Sequence, residues 1–364
     1  MITPQLEKDL NYTFEKLSEI ERKKFSNATI LITGSAGHMG FFCTHFFYHF
    51  REKLNIKKVI CLDNFILGKP TWHEELSKDS HFVFKNFDVI HDKFENIPEV
   101  EETDYVLHMA SVASPTFYRK HPIETLDADV WGLRNLLEFF KDKSLSGFLF
   151  FSTSEIYGDP PAEKIPTDEN YNGNVSTNGP RSCYDESKRF GETMCRYFAQ
   201  EHKMPIGVVR LFNTYGPGMK LNDKRVPADF AKNIFQNEDI VILSDGKPSR
   251  TFCYIADAMA GCYKILLYGE YDYFNIGIDR PEISINKFAE ICQSAGKKIF
   301  NYQGKVIYSV SDDKDYLTHN PQRRCPKIDK AKNILGYNPE ILVDEGVERF
   351  LEFIKESSEE NLKW

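Results

Sequence analysis

Thr29-Ile30-Leu31-Ile32-Thr33-Gly34-Ser35-Ala36-Gly37-His38-Met39-Gly40 is the stretch that decides the fold. A short β-branched run reads as a buried strand, and glycines three apart follow it where the chain enters an apolar helical stretch. Glycines at such a turn let the backbone approach a pyrophosphate, and the start of the helix supplies amides and positive dipole. The spacing is Gly-x-x-Gly-x-x-Gly, unlike the commoner Gly-x-Gly-x-x-Gly. It predicts a dinucleotide site built on Gly34, Gly37, His38, Met39 and Gly40.

Working outward, β-rich runs alternate with longer helical stretches: Thr29 to Ile32, Val59 to Leu62, Phe82 to Phe84, Tyr105 to His108, Phe148 to Ser152 and Ile206 to Leu211. Such alternation implies right-handed crossovers, hence an α/β fold with a doubly wound, parallel, Rossmann-type sheet. Beyond Phe212 the pattern turns irregular, as in Gly216-Pro217-Gly218 and Ser244-Asp245-Gly246-Lys247-Pro248, and predicts a smaller α/β substrate-binding lobe. The expected organisation is a helical extension (1–25), a dinucleotide-binding domain (26–213) and the lobe (214–364), with about 251–277 returning to the first domain. In the extension, Leu6, Leu10, Phe14, Leu17 and Ile20 recur at helical spacing and predict one amphipathic helix packed on the body or on a second subunit.

The second run ends Leu62-Asp63-Asn64, which places a carboxylate where the adenosine ribose hydroxyls of a cofactor should lie. Asp63 would repel a 2′-phosphate, so NAD is expected over NADP. After the third run, in Asn86-Phe87-Asp88-Val89, Asp88 either accepts from the adenine amino group or is solvated in a loop.

A second constellation is Tyr184-Asp185-Glu186-Ser187-Lys188, with Ser152-Thr153-Ser154-Glu155 closing the apolar run about thirty residues upstream. Tyrosine and lysine four apart share a helix face. The ammonium is expected to lower the phenol's pKa and make it a base near neutrality.

Bulk properties exclude other classes. The net charge of −8 and the lack of a basic stripe argue against nucleic acid and anionic membranes as partners. The eight cysteines are scattered, without a Cys-x-x-Cys pair or a signal-peptide pattern, which predicts reduced, structural thiols in a cytoplasmic protein. No apolar stretch approaches the ~20 residues needed to span a bilayer. No metal is expected.

In order, the glycine turn, Asp63, His108-Met109-Ala110-Ser111, Thr153, Tyr184, Lys188 and Arg210-Leu211-Phe212-Asn213-Thr214-Tyr215-Gly216-Pro217 resemble the extended short-chain dehydrogenase/reductase superfamily of nucleotide-sugar epimerases, dehydratases and decarboxylases. The stretches Ser152-Thr153-Ser154-Glu155-Ile156-Tyr157-Gly158-Asp159-Pro160, Gly179-Pro180-Arg181-Ser182-Cys183-Tyr184-Asp185-Glu186-Ser187-Lys188-Arg189 and Asn222-Asp223-Lys224-Arg225-Val226 look most like UDP-glucuronate decarboxylases, the UDP-xylose synthases.

The resemblance implies a tightly bound, recycled NAD held by the glycine turn, Asp63, Asn64, Asp88, Val89, Met109, Ala110, Ser111, Tyr184 and Lys188. Tyr184 is the implied base, Lys188 tunes it and binds the nicotinamide ribose, and Thr153 hydrogen-bonds the reacting sugar oxygen. Oxidation at sugar carbon 4 places a ketone β to the carboxylate, carbon dioxide leaves, and protonation with hydride return gives the pentose. Ser154, too weak an acid to protonate a departing hydroxyl, fits decarboxylation better than dehydration, and Glu155 is placed to order water or manage the enolate's proton. Tyr118, Asn213, Arg225, Arg250 and Arg324 are the implied contacts to the nucleotide sugar, with Arg324 near the sugar carboxylate. A homodimer through Leu126 to Lys141 and Tyr184 to His202 is also implied.

The chain departs from the family pattern at Asp129, where relatives usually show Asn, at Gly218 in place of an expected arginine, and at Val112 and Ser182. A 4-epimerase uses the same Tyr-Lys pair and stays open as an alternative, with a 4,6-dehydratase behind it. A non-catalytic dinucleotide-binding protein is disfavoured by the intact Thr153, Tyr184 and Lys188.

Overall fold

Successive residues of a strand face opposite sides of a sheet, and in this chain both sides are apolar. Ile30, Ile32, Val59, Cys61, Leu107, Leu149, Phe151 and Val209 pack into one core cluster; Leu31, Ile60, Leu62, Val106, Phe148, Phe150, Ile206 and Val208 pack into another. The computed structural model describes residues 2–315, 318, 320–357 and 362. Its central strands are β1 (Thr29–Thr33), β2 (Lys58–Asp63), β3 (Phe82–Asn86), β4 (Tyr105–His108), β5 (Gly147–Thr153) and β6 (Ile206–Leu211). With Asp272–Ile276 they form a seven-stranded parallel sheet in the order Asp272–Ile276, β6, β5, β4, β1, β2, β3.

The helices His38–Phe50 and Ile255–Leu266 supply buried residues to the first cluster, and Leu133–Phe140 and Ser182–His202 to the second. The chain winds outward from β1 through β2 to β3, then returns to place β4 on the other side of β1. Between β1 and β4 the winding reverses, and ligands of such sheets bind at the carboxyl ends beside that reversal. Gly34 follows β1 there, at φ +74°, so close to the segment after β4 that a Cβ would lie 2.7 Å from the Ala110 nitrogen.

Beyond β6 short strand pairs and helices build over the same end. Ile240–Ile242 pairs with Val306–Tyr308, and Ser249–Arg250 pairs with both Ile283–Ser284 and Arg323–Arg324. The helices Val226–Phe235 and Ile285–Phe300 pack on one another. Asp272–Ile276 lies in the main sheet against β6.

The amino-terminal helix α1 (Pro4–Glu15) packs against Ile255–Leu266, Val343–Glu356 and His38–Phe50, with Leu6, Leu10 and Phe14 buried. The expected stripe fails at Ile20, which is 75% exposed. Ser18 and Glu21 cap a second short helix, Glu19–Lys23, and this break resets the helical phase. The segment expected as one helix from Leu126 to Lys141 is also divided, into Pro122–Asp127, a π turn at Ala128–Gly132 and Leu133–Phe140. Among the described residues no helix is long and apolar enough to cross a membrane.

Candidate active site

One cavity of about 730 Å³ opens at the carboxyl ends of the central strands. Its lining includes the glycine turn, Asp63, Asn64, Asp88, Val89, Met109, Ala110 and Ser111 at one end, Thr153, Ser154, Glu155, Tyr184 and Lys188 midway, and Tyr118, Asn213, Arg225, Arg250 and Arg324 beyond. The structure thus brings together the residues expected to contact cofactor or substrate, whereas Asp129 and Ser182 lie outside the lining.

At the cofactor end, the helix His38–Phe50 begins at Gly37, and no side chain caps it. Its first amides are left for an anion. A Cβ at Gly40 would lie 2.3 Å from the Gly34 carbonyl oxygen, so only glycine permits this turn. Asp63 Oδ2 accepts from the Ala36 amide at 2.9 Å and Oδ1 from the Phe65 amide at 2.8 Å. This carboxylate therefore fastens β2 to the glycine turn while lining the cavity, and burial raises its pKa above the usual carboxylate value. Asn64 Nδ2 donates to Asp88 Oδ2 at 3.2 Å. An uncapped helix start, a turn closed to side chains and a carboxylate at the end of β2 fit a dinucleotide.

The reacting centre is built by the end of β5 and the first turns of Ser182–His202. The Tyr184 phenol faces the Thr153 hydroxyl, and its ring stacks on that of Tyr118. The expectation that Lys188 brings this phenol towards neutrality is not met. Lys188 Nζ donates to the Phe151 carbonyl at 3.0 Å and pairs with Asp129 Oδ1 at 3.1 Å. Burial first, and then the Asp129 charge, push the phenol well above its ordinary pKa. Asp129 is itself wholly buried, behind the cavity wall.

At the sugar end, Glu155 Oε2 accepts from Arg181 Nη2 and, at 3.1 Å, from Arg324 Nη2. Arg324 also donates to the carbonyls of Ser154 and Gly158. Burial alone would raise the Glu155 pKa, but Arg181 and Arg324 outweigh it and hold the carboxyl below its ordinary value. Asp185, 3.5 Å from Arg181 Nε, is raised to about 7 by burial and by the Glu155 charge. Arg250 donates to the carbonyls of Ser249 at 2.7 Å and Pro321 at 2.5 Å, and burial beside Arg324 lowers it to about 10. Arg225 is gripped by both Asp223 oxygens, at 2.5 and 2.8 Å. Asn213, at φ +33°, donates to Thr251 O at 3.4 Å.

Two members of this cluster, Arg181 and Asp185, carry no role in the sequence reading. The signal was local: Arg181 stands three residues before Tyr184, and Asp185 is the next residue, at the start of one helix. Among the described residues, no group of three His, Cys, Asp or Glu side chains is placed to hold a metal ion.

Comparison with known proteins places this architecture. Residues 30–277 match the NAD dependent epimerase/dehydratase family. UDP-glucuronic acid decarboxylase 1 of Xenopus tropicalis is 34% identical over 345 residues, covering 94% of this chain and 75% of that protein. UDP-glucuronic acid decarboxylase 6 of Arabidopsis thaliana is 34% identical over 341 residues, covering 91% and 90%. Among solved structures, UDP-glucose 4-epimerase of Thermotoga maritima with UDP-glucose is 25% identical over 90% of this chain and 98% of its own, with a TM-score of 0.76. UDP-glucuronic acid 4-epimerase of Bacillus cereus, with UDP-glucuronic acid and NAD, shares the fold at 24% identity and a TM-score of 0.72, covering 90% and 99%.

Proposed function

Because the chain belongs to the NAD dependent epimerase/dehydratase family, we propose that it is a nucleotide-sugar decarboxylase converting UDP-glucuronate to UDP-xylose through a 4-keto intermediate. The observation that carries this reading is the cluster of Arg181, Arg250 and Arg324 around Glu155, with Arg181 three residues before Tyr184 and Glu155 two residues after Thr153. Three guanidiniums face Glu155 and an Asp185 poised near neutrality, and a sugar carboxylate supplies the missing negative charge. The names of the decarboxylase relatives agree with it.

Held by the glycine turn and Asp63, a bound NAD would supply a reversible hydride acceptor. Thr153 and Tyr184 hold the oxygen on sugar carbon 4, and the Tyr184 phenolate, formed once the phenol has lost its own proton to solvent, takes the hydroxyl proton as the carbon–hydrogen bond breaks. The resulting ketone is β to the carboxylate, so the bond to carbon dioxide breaks with its electrons delocalised into an enolate. Arg324 orients the carboxylate before it leaves. Glu155, ionised by its two arginines, is a base or water-orienting group and a poor acid, so hydroxyl departure from carbon 6 has no donor in Ser154 or Glu155.

The cofactor is tightly held, in keeping with a reaction that restores it each cycle. Trp131, Phe190 and Tyr197 are exposed on the neighbouring segments Ala128–Gly132 and Ser182–His202, which supports a homodimer through that face. Eight free cysteines support a reducing, cytoplasmic setting.

The test is mass spectrometry of the product from UDP-glucuronate and NAD. Loss of carbon dioxide alone establishes the pentose, and additional loss of two hydrogens establishes release of the 4-keto sugar. A new chromatographic peak of unchanged mass means 4-epimerisation and overturns the reading.

A further inference from the structure

Asp129 lies outside the cavity, yet its carboxylate meets the residue on which the chemistry of the cavity depends. It sits in the π turn Ala128–Gly132, a local widening of the helix that often accompanies functional sites. The turn is pressed onto the segment after β3: a Cβ on Gly132 would lie 2.6 Å from Val89 Cγ2. From this position Oδ1 faces Lys188 Nζ at 3.1 Å and Oδ2 accepts from Ser187 Oγ at 2.7 Å. Both side chains of the ion pair are essentially sealed from solvent, 3% exposed for Lys188 and 0% for Asp129, so salt screens them little.

We propose that Asp129 is a positioning residue that fixes the Lys188 ammonium and withholds its charge from Tyr184. An ammonium alone beside a phenol favours the phenolate. An ammonium closely paired with a carboxylate presents a compact dipole, and its influence on the phenol largely cancels. The bond from Lys188 to the Phe151 carbonyl and the bond from Ser187 to Asp129 hold the geometry in which that cancellation operates.

The other groups around Tyr184 do not replace the lost charge. From β5 and the residues after it come the neutral Thr153 and the anionic Glu155; from Pro115–Lys120 comes the neutral Tyr118. From β4, His108 is driven down to about 3 by burial and then by the Lys188 charge, so it is neutral. Within Ser182–His202, Cys183 is a half-buried thiol pushed upward by desolvation, and Asp185 is anionic above about 7. Of the cations, Arg225 is neutralised by Asp223, and Arg181, three residues before Tyr184, is paired with Glu155 and Asp185.

The consequence is that this protein keeps its catalytic proton on Tyr184 to a higher pH than it would with an amide at position 129. The step needs no co-reactant: the phenol O–H bond ionises and the proton passes to solvent.

The test follows Tyr184 directly and needs no substrate, so its failure is distinct from failure of the proposed reaction. Protein labelled with 3-fluorotyrosine is titrated by fluorine NMR from about pH 6 to about pH 10, up to the ordinary phenol range. Loss of one resonance in Tyr184→Phe identifies the signal. Asp129→Asn keeps the shape and removes the charge, and it is expected to lower the titration midpoint by at least about one pH unit, a tenfold change in phenolate fraction at fixed pH. A midpoint within range for the variant, where the wild type shows none, counts equally in favour. Superimposable curves, whether both titrate or neither does, overturn the proposal. Ser187→Ala removes a holding bond but no charge, and a downward shift as large as that of Asp129→Asn would assign the effect to packing and overturn it as well.

Discussion

The ring of Tyr118 stacks on that of Tyr184, with centroids 5.1 Å apart and planes 6° from parallel. Tyr118 is fixed in turn by the short helix Pro115–Lys120, and Cys183 Sγ donates to its carbonyl at 3.7 Å. An aromatic pair of this kind contributes about 1 kcal/mol beyond its area, but its larger effect here is orientation of the phenol. Misplacement of a reacting group by one ångström can cost about a hundredfold in rate. Tyr118→Ala is expected to lower kcat by about 10- to 100-fold while NAD content is unchanged, and Tyr118→Phe, which keeps the stack, should stay near wild type. Equal kinetics for the alanine variant would show that the stack is packing alone.

Replacing Tyr184 by phenylalanine removes one oxygen from the reacting centre and leaves the glycine turn, Asp63 and Lys188 in place. Loss of a positioned base costs about 100- to 10,000-fold. The variant should purify with as much NAD as the wild type and form no reduced nicotinamide when UDP-glucuronate is added, read by absorbance. Undiminished reduction would remove Tyr184 from the mechanism.

Arg324 donates to Glu155 and to two backbone carbonyls, and it is 3% exposed. In Arg324→Ala, Glu155 keeps Arg181, so the site loses one of its guanidiniums without stranding the carboxylate. A charged hydrogen bond is worth about 1.5–3 kcal/mol, which predicts a fall of about 10- to 150-fold in kcat/KM for UDP-glucuronate. Binding of UDP-glucose, which lacks the carboxylate, should weaken less. Losses of the same size for both sugars, measured by calorimetry, would assign Arg324 to the diphosphate or to general stability.

The same residues show what a sequence discloses and what it hides. Strands β1, β2, β4, β5 and β6 are apolar on both faces and announce themselves as continuous runs. Asp272–Ile276 is harder to read as a strand because its apolar run is short and carries the polar Asn275 before its last residue. That side chain is buried and satisfied only by distant groups: it donates to the carbonyls of Thr167 and Lys327 and accepts from the Tyr157 hydroxyl. The π turn at Asp129 interrupts a helical periodicity by a single residue and leaves no compositional mark. The arginine cluster unites positions 155, 181, 250 and 324, which become neighbours only after Ser249–Arg250 pairs with Arg323–Arg324. The expected tuning of Tyr184 by Lys188 is not met because helical spacing reports proximity, whereas burial of the phenol first, and then the Asp129 charge beside Lys188, raise its pKa.

Asp63 has two tasks in the structure, and its replacement separates them. Asp63→Ala leaves the amides of Ala36 and Phe65 without their acceptor. An unsatisfied buried donor costs about 1–3 kcal/mol, so thermal unfolding should move to lower temperature. Selectivity for NAD over NADP, measured as the ratio of dissociation constants, should fall because the repelling carboxylate is gone. A destabilised variant with unchanged selectivity would confine Asp63 to the turn.

The amino-terminal helix is tied into the fold by a buried carboxylate. Asp9 accepts from Gln5 Nε2 at 3.0 Å, Arg349 Nη1 at 2.8 Å and the Tyr254 hydroxyl at 2.6 Å. Breaking a buried ion pair from one side costs about 3–5 kcal/mol, and Arg349 retains Glu345, so Asp9→Ala should cost about 3 kcal/mol in denaturant unfolding. The pH dependence is a sharper test. Burial outweighs the bonds from Tyr254, Arg349 and Gln5 and raises the carboxyl above its ordinary pKa of 3.8. The folded protein therefore holds this proton more tightly than the unfolded chain does. The stability owed to that shift is complete below the ordinary value and is lost as pH rises through the raised one. Asp9→Asn keeps an acceptor and abolishes the titration, so the stability difference, wild type minus variant, should decline with rising pH across the acid range and then level. A difference that grows with pH would mean that Arg349 dominates over burial and that the carboxyl is held low.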